Sequence, residues 1–375
     1  MLDTSDMRRL AEINTHPHLT WSLYLALDQS RETRLLSLNQ MFKRKEQQLF
    51  GNGSSPDPKT FAAEQNRITR YVEELPTGPN RGLALFACSH CGLFETFTFP
   101  VSIADQLQVG SAPYIRPITA LAGDLCRAVT VLLDQRRARF FMSFLGQAQE
   151  LEQAQADNPE LSQERDGDQG RAGDNRIARK AEEAQTRLYK QVNQTLMELF
   201  RDSRCRELVV GGSKVRVEHF IPHLHPYLAQ NLAGSFTLDI GASPAAVAEQ
   251  TAAVQATARR QRQERLLSNL ADNLGPGGQA ATGLNQVLAS LYEGRVHTLM
   301  VRRGFTAVGG ACPGCGRLRH VADDCPICGQ TMAPVEDIVN LALAQALDSG
   351  AALEQVDGPS ALDDLGGVAA LLRYA

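Results

Sequence analysis

The chain has 375 residues, 43% of them apolar and 21% charged, with a formal net charge of −4. This balance excludes a chain disordered throughout, and no apolar run approaches the ~18 residues that span a bilayer. The near-neutral charge also excludes a uniformly basic surface, so contact with nucleic acid has to rest on local patches. In chain order, residues 1–20 are weakly patterned, and the first thirty residues carry no cleavable apolar core, so no secretory signal is expected. A strand is predicted over 22–27 and a helix over 28–49. Breakers at 51–56 mark a loop, and a second helix runs over 60–75. Strands over 81–87 and 93–99, joined at Cys91-Gly92, read as a hairpin.

A second unit begins near Pro117. Its opening hairpin pairs 129–134 with 138–144 across Gln135-Arg-Arg137. Residues 146–175 are rich in Gln, Glu, Asp and Gly, and are predicted to be a mobile loop because they bury too little apolar surface to offset chain entropy. A long helix over 174–200 follows, with Leu188, Val192, Leu196 and Leu199 on one face. Then come a buried strand over 207–212, a helix, a strand over 235–240 and a helix over 244–270. This alternation predicts an α/β unit with a mixed sheet. After the break at Gly275-Pro-Gly-Gly278 a third unit is predicted: helix 282–292, strand 296–301, a cysteine-rich insert, helix 335–349, strand 352–356 and a closing apolar segment 365–374.

Eight cysteines are too few for a disulfide scaffold at this length. Four of them form two copies of one knuckle, Cys312-Pro-Gly-Cys315-Gly316 and Cys325-Pro-Ile-Cys328-Gly329. The spacing lets both thiolates of each pair converge on one ion, and the glycine after each pair permits the tight turn. Four thiolates close a tetrahedral shell with no open position, so the expectation is one structural zinc per chain. A four-thiolate iron centre is the alternative.

Weaker constellations have simpler readings. Cys88-Ser-His-Cys91 is a single C-x-x-C that fits a redox pair or a second metal site, but its turn position favours packed cysteines. Glu218-His219 with His223 and His225 lacks the glutamate placement of a zinc hydrolase and reads as surface histidines. Arg176, Arg179, Lys180, Arg187 and Lys190 form a basic stripe opposite the leucine face, interrupted by Glu182 and Glu183, and are the candidate RNA contacts. Arg259, Arg260, Arg262 and Arg265 make a second basic cluster. Gly277-Gly278-Gln279 lies at a domain junction and reads as a linker.

The chain resembles the archaeo-eukaryotic class I peptide chain release factors, and more closely their bacterial and archaeal relatives, a group related to pelota. The residues that carry this are Ala281-Thr-Gly-Leu284, Val287 to Val296, Thr298-Leu-Met-Val301, the knuckles after that strand, Val339 to Gly350 and Gly366 to Tyr374. In the middle unit they are Thr130-Val-Leu-Leu-Asp134 and Ala138-Arg-Phe-Phe141. The resemblance implies an α/β (α+β) protein of three domains with mixed sheets flanked by helices: 1–115, 116–272 with the loop at 146–175, and 273–375 with a zinc-ribbon insert at 306–334. The third domain would be similar to a kink-turn-binding ribosomal protein.

The resemblance further implies a tRNA-shaped factor in the ribosomal A site and hydrolysis of the peptidyl-tRNA ester at a Gly-Gly-Gln loop. Here the corresponding stretch, Arg165-Asp-Gly-Asp-Gln-Gly-Arg-Ala-Gly-Asp-Asn-Arg176, holds no Gly-Gly-Gln, and no Asn-Ile-Lys-Ser decoding motif occurs. Catalytic residues are therefore unassigned. The expectation is a cytoplasmic, ribosome-associated translation factor that contacts rRNA and a translational GTPase, with no membrane or DNA partner. Two alternatives stay open: a peptidyl-tRNA hydrolase working through a reshaped loop with Gln169, and a non-ribosomal zinc-ribbon scaffold.

Overall fold

The computed structural model describes residues 4–51, 57–76, 78–121, 127–144, 146–155, 172–202, 205–275, 277–358 and 360–374. The chain divides into two compact units, residues 1–123 with 263–375, and residues 124–262. The first unit begins with helix α1 (Thr4–Glu12) and an antiparallel sheet. Its strands β1 (Thr20–Ala26), β2 (Gly82–Cys88), β3 (Leu93–Phe99) and β4 (Gln106–Gly110) lie in the order β3-β2-β1-β4. The predicted hairpin is β2–β3, with Gly82 opposite Phe99 and Cys88 opposite Leu93.

Helices α2 (Arg31–Gly51) and α3 (Pro58–Glu74) cover one face of this sheet. Helix α3 starts where the Asp57 carboxylate accepts the Thr60 amide at 3.1 Å, with Pro58 in the first turn, where its missing amide costs nothing. Leu38, Phe42, Phe61, Ile68 and Val72 pack on Trp21, Leu23, Leu25, Leu83 and Leu85. On the other face Tyr24 and Phe86 are buried as well, their ring centroids 6.1 Å apart. Burial on both faces is why these strands are largely continuous apolar runs. The edge strand β4, the helix α1 and the six-residue helix α4 (Arg116–Leu121) carry no comparable sequence signal.

The second unit is a three-layer α/β arrangement. Its sheet combines β5 (Ala128–Leu133), β6 (Arg137–Phe144), β7 (Gln147–Gln155), β8 (Glu207–Gly212) and β9 (Leu232–Thr237) in the order β7-β6-β5-β8-β9. The β7–β6–β5 part is antiparallel and the β5–β8–β9 part parallel. Helix α5 (Ala172–Asp202) lays Leu188, Val192 and Leu196 on Val129, Val131 and Phe140, together with Phe220 of α6 (Lys214–Phe220) and Leu228 of α7 (Pro226–Gln230). On the opposite face, Val247 of α8 (Pro244–Asp272) packs on Leu132, Phe141, Val209 and Phe236. There the Thr130 and Thr251 hydroxyls satisfy each other at 2.9 Å.

The predicted mobile loop at 146–175 is corrected at both ends. Residues 147–155 form β7, and α5 begins at Ala172; residues 156–171 lie outside the described residues. Composition hides β7 because it is an edge strand, held by backbone pairing to β6 rather than by apolar burial. A bulge at Leu151, opposite the Phe140–Phe141 step, re-aims the strand so that Glu150 meets the Arg139 guanidinium at 2.6 Å.

The chain returns to the first unit at residue 263 and builds a second sheet. Strands β10 (Ala280–Thr282), β11 (Val296–Arg302), β15 (Ala352–Val356) and β16 (Val368–Leu372) lie in the order β10-β16-β11-β15, with only the β11–β15 pair parallel. Helices α9 (Leu284–Tyr292) and α10 (Ile338–Asp348) cover one face. The end of α8 and the short α11 (Ala361–Asp364) cover the other, through Leu266, Leu270 and Leu362 on Met300 and Ala369. Between β11 and α10 the cysteine-rich insert forms a three-stranded antiparallel ribbon of β12 (Gly309–Ala311), β13 (Leu318–Arg319) and β14 (Ala333–Val335).

Candidate metal centre

Both knuckles close in the same way. The Gly316 amide donates to the Cys312 carbonyl at 2.9 Å, and the Gly329 amide to the Cys325 carbonyl at 2.8 Å. The two glycines sit at φ of 73° and 72°, left-handed conformations that a side chain would strain. A second pair of bonds, Cys312 amide to Arg317 carbonyl at 2.9 Å and Cys325 amide to Gln330 carbonyl at 2.8 Å, completes each loop. The four sulfurs lie within 4.8 Å of one another. Individual separations are 3.3 Å for Cys312–Cys328, 3.5 Å for Cys315–Cys325 and 3.9 Å for Cys315–Cys328. Zinc–sulfur bonds of about 2.3 Å in a tetrahedron call for sulfurs about 3.8 Å apart, so this donor set fits such an ion.

The electrostatics favour thiolates on the inner cysteines. The Cys315 amide holds the Cys312 thiol below its ordinary value. The Cys328 and Ile327 amides bring Cys325 down to about 6. For Cys328 the Gln330 amide favours ionisation, but Cys312, burial, Cys325 and Cys315 together push it up to about 12. A divalent cation would supply the charge that lets all four ionise together. The four cysteines can therefore hold a metal ion.

One neighbour of this centre is missed by sequence reading. The Tyr292 hydroxyl, at the end of α9, hydrogen-bonds Cys315, which raises the phenol above its ordinary value. The Arg317 guanidinium lies 5.0 Å from the Tyr292 ring centroid. No local motif links Tyr292 to the knuckles; only the fold brings it there.

The stem of the ribbon is also fixed by groups far away in sequence. The Arg116 guanidinium meets the Asp337 carboxylate at 2.7 Å on the exit side and the Phe305 carbonyl on the entry side. The Tyr114 hydroxyl donates to the same carboxylate at 2.8 Å. Buried Asn340 of α10 accepts the Ile115 and Arg116 amides at 2.9 and 3.2 Å and donates to the Pro113 carbonyl at 3.1 Å.

The basic stripe falls on α5. Arg179, Arg187 and Lys190 are exposed, opposite buried Leu188 and Val192, with Arg179 paired to Glu183 at 3.5 Å. Arg176 and Lys180 lie on the same helix, but their side chains are outside the description. Arg260, Arg262 and Arg265 of α8 are exposed. His219 and His223 stack with ring centroids 5.4 Å apart, but the Tyr189 hydroxyl engages one and the His219 carbonyl the other. Among the described residues, the only group of three or more metal-ligating side chains is the four cysteines. Gly277-Gly278-Gln279 joins α8 to β10, its backbone tied by Gly278 to Gly275 at 3.0 Å and by Leu372 to Gln279 at 2.9 Å. Gln169 is outside the described residues.

Residues 113–256 match the family model described as bacterial archaeo-eukaryotic release factor family 10. Over that span the chain is release-factor-like. Similar solved structures include the archaeal translation termination factor aRF1, at 17% identity and a TM-score of 0.28 over 100% of this chain and 99% of that one. Archaeal Pelota, in a model of ribosome-bound Pelota and ABCE1, matches at 14% identity and a TM-score of 0.41, covering 99% and 94%. Dom34 of S. cerevisiae matches at 9% identity and a TM-score of 0.40, covering 78% and 79%. No curated protein matches the chain. Among the described residues no helix is long and apolar enough to cross a membrane.

Proposed function

We propose that this chain is a cytoplasmic, ribosome-associated translation factor built on the release-factor plan, entering the A site as a tRNA mimic. The observation that carries the reading is the family match over 113–256, which takes in the whole β5–β9 sheet and α5. The exposed cations Arg179, Arg187 and Lys190, with Arg176 and Lys180 on the same helix, support rRNA phosphate contact along α5. The three-domain division, 1–115, 116–272 and 273–375, belongs to the same reading, as does a translational GTPase as partner. The ion at Cys312, Cys315, Cys325 and Cys328 is read as one structural zinc, which stiffens the ribbon and leaves no open coordination position for chemistry. The reading assigns no catalytic residue.

Sedimentation with ribosomes, empty and stalled, over a salt series tests it. The expected result is co-migration at low salt that weakens steeply as salt rises. No co-migration at low salt with either kind of ribosome overturns the reading.

A further inference from the structure

The Cys88-Ser-His-Cys91 motif is left unexplained by the release-factor reading, and the fold gives it an unusual setting. Cys88 ends β2 and is buried at 1% exposure, whereas Cys91 closes the turn and is exposed. The turn is a single 3-10 segment, Ser89–Cys91, closed by Gly92 at φ of 67° with its amide on the Ser89 carbonyl at 3.2 Å. Residues three apart in such a turn have Cα atoms within about 7 Å, close to the span a disulfide needs. The Cys91 thiol and amide lie near enough to the Cys88 sulfur to act on it electrostatically.

The turn is held in this shape from beneath. The buried Glu64 carboxylate of α3 accepts the Ser89 amide at 2.8 Å, and Arg67 of the same helix donates to the Ser89 hydroxyl at 3.1 Å. The His90 ring stacks on His18 with centroids 4.3 Å apart. These contacts fix the turn that carries the two cysteines.

We propose that Cys88 and Cys91 are a reversible redox site, forming an intramolecular disulfide by exchange with a low-molecular-weight disulfide such as oxidised glutathione. Cys91 attacks first, because it alone is exposed. It releases its proton to solvent, its sulfur bonds one sulfur of the reagent, and the other leaves as a thiolate that takes the Cys88 proton. The Cys88 sulfur then bonds the Cys91 sulfur and expels the second reagent thiolate, which is protonated by solvent. The balance is one protein dithiol and one disulfide giving one protein disulfide and two thiols, with two electrons passing to the reagent. Burial raises the Cys88 thiol, with the Cys91 thiol and the Glu64 charge acting in the same direction, which suits Cys88 to the resolving role.

The test uses the full, zinc-loaded chain, so that the knuckle cysteines are protected as ligands. The protein is equilibrated in glutathione buffers from fully reduced to fully oxidised, quenched in acid, alkylated and mapped by peptide mass spectrometry. The expected result is joint loss of alkylation at Cys88 and Cys91, a peptide lighter by two hydrogens, and full recovery with dithiothreitol. Cys88→Ser is expected to stop at glutathione on Cys91. Cys91→Ser, a change at an exposed position, is expected to leave Cys88 fully alkylatable. Alkylation of both cysteines at every buffer composition overturns the proposal. So does a wild-type protein that accumulates glutathione on Cys91 while Cys88 stays free, or oxidation of Cys88 in the Cys91→Ser protein.

Discussion

The Arg116 side chain is 9% exposed, and the Asp337 side chain it meets is 13% exposed. Removing one member of a buried ion pair leaves the other charged and unsolvated, which costs about 3–5 kcal/mol. Arg116→Met is therefore expected to destabilise the first unit by roughly 3 kcal/mol, read as a lower urea midpoint with an unchanged slope. Tyr114 shares the same carboxylate, and burial followed by the Asp337 charge pushes its phenol up to about 12. An unfolded tyrosine titrates near 10. Since the folded value is the higher one, the contribution of Tyr114 is complete below about pH 10 and disappears as pH rises toward about 12. Wild-type stability should fall over that alkaline window, and Tyr114→Phe should flatten the fall, in urea titrations across it. None of this cluster is legible in sequence. Arg116 and Asp337 are ordinary charged residues until the fold brings together positions more than two hundred apart.

Elements differ in how far local sequence determines them. The knuckles were legible because their chemistry is local: two thiols, a turn glycine and the amides between them lie within five residues. The strand Ala352–Val356, bounded by Gly350 and Gly358, and the β5–β6 hairpin, with Val129-Thr-Val131 opposite the aromatic pair Phe140-Phe141, stand where they are predicted. Strand β7 was not legible, since its stability comes from the free edge of β6 and from Arg139, whose guanidinium meets Glu150 and the Ile240 and Ala242 carbonyls. On the structural-zinc reading, the ribbon would depend instead on a bound ion. Its inner cluster is Cys312, Cys325 and Met332 with Cys315 against them, too small to fold on apolar burial. Cys312→Ser should reduce zinc from about one equivalent to near none by metal analysis. Amide exchange should then rise across 306–334 and stay unchanged in β5, β6 and β8. Unchanged protection in the ribbon would mean the cysteines hold it without metal.

At the scale of the whole molecule, chain order and compact units do not coincide. Residues 1–123 and 263–375 share one unit, joined by the Asn340 contacts and by Gln355 to Thr119 at 3.0 Å, while 124–262 fold as the other. On the ribosomal reading proposed above, attraction to RNA cannot come from the net charge of −4 and would have to come from placed cations. Arg187 and Lys190 are the described side chains best suited to this, being exposed on the face of α5 away from Leu188 and Val192, with no carboxylate paired to either among the described contacts. Their exposure also separates binding from folding: reversing both charges should change stability by less than about 0.5 kcal/mol. If each neutralises one phosphate, the double variant Arg187→Glu with Lys190→Glu should lower the slope of log affinity against log salt by about two. Affinity for ribosomes at low salt should drop by roughly tenfold or more, measured by the same sedimentation series. An unchanged slope with an unchanged affinity would move the RNA-facing surface away from α5, leaving the α8 arginines as the next face to reverse.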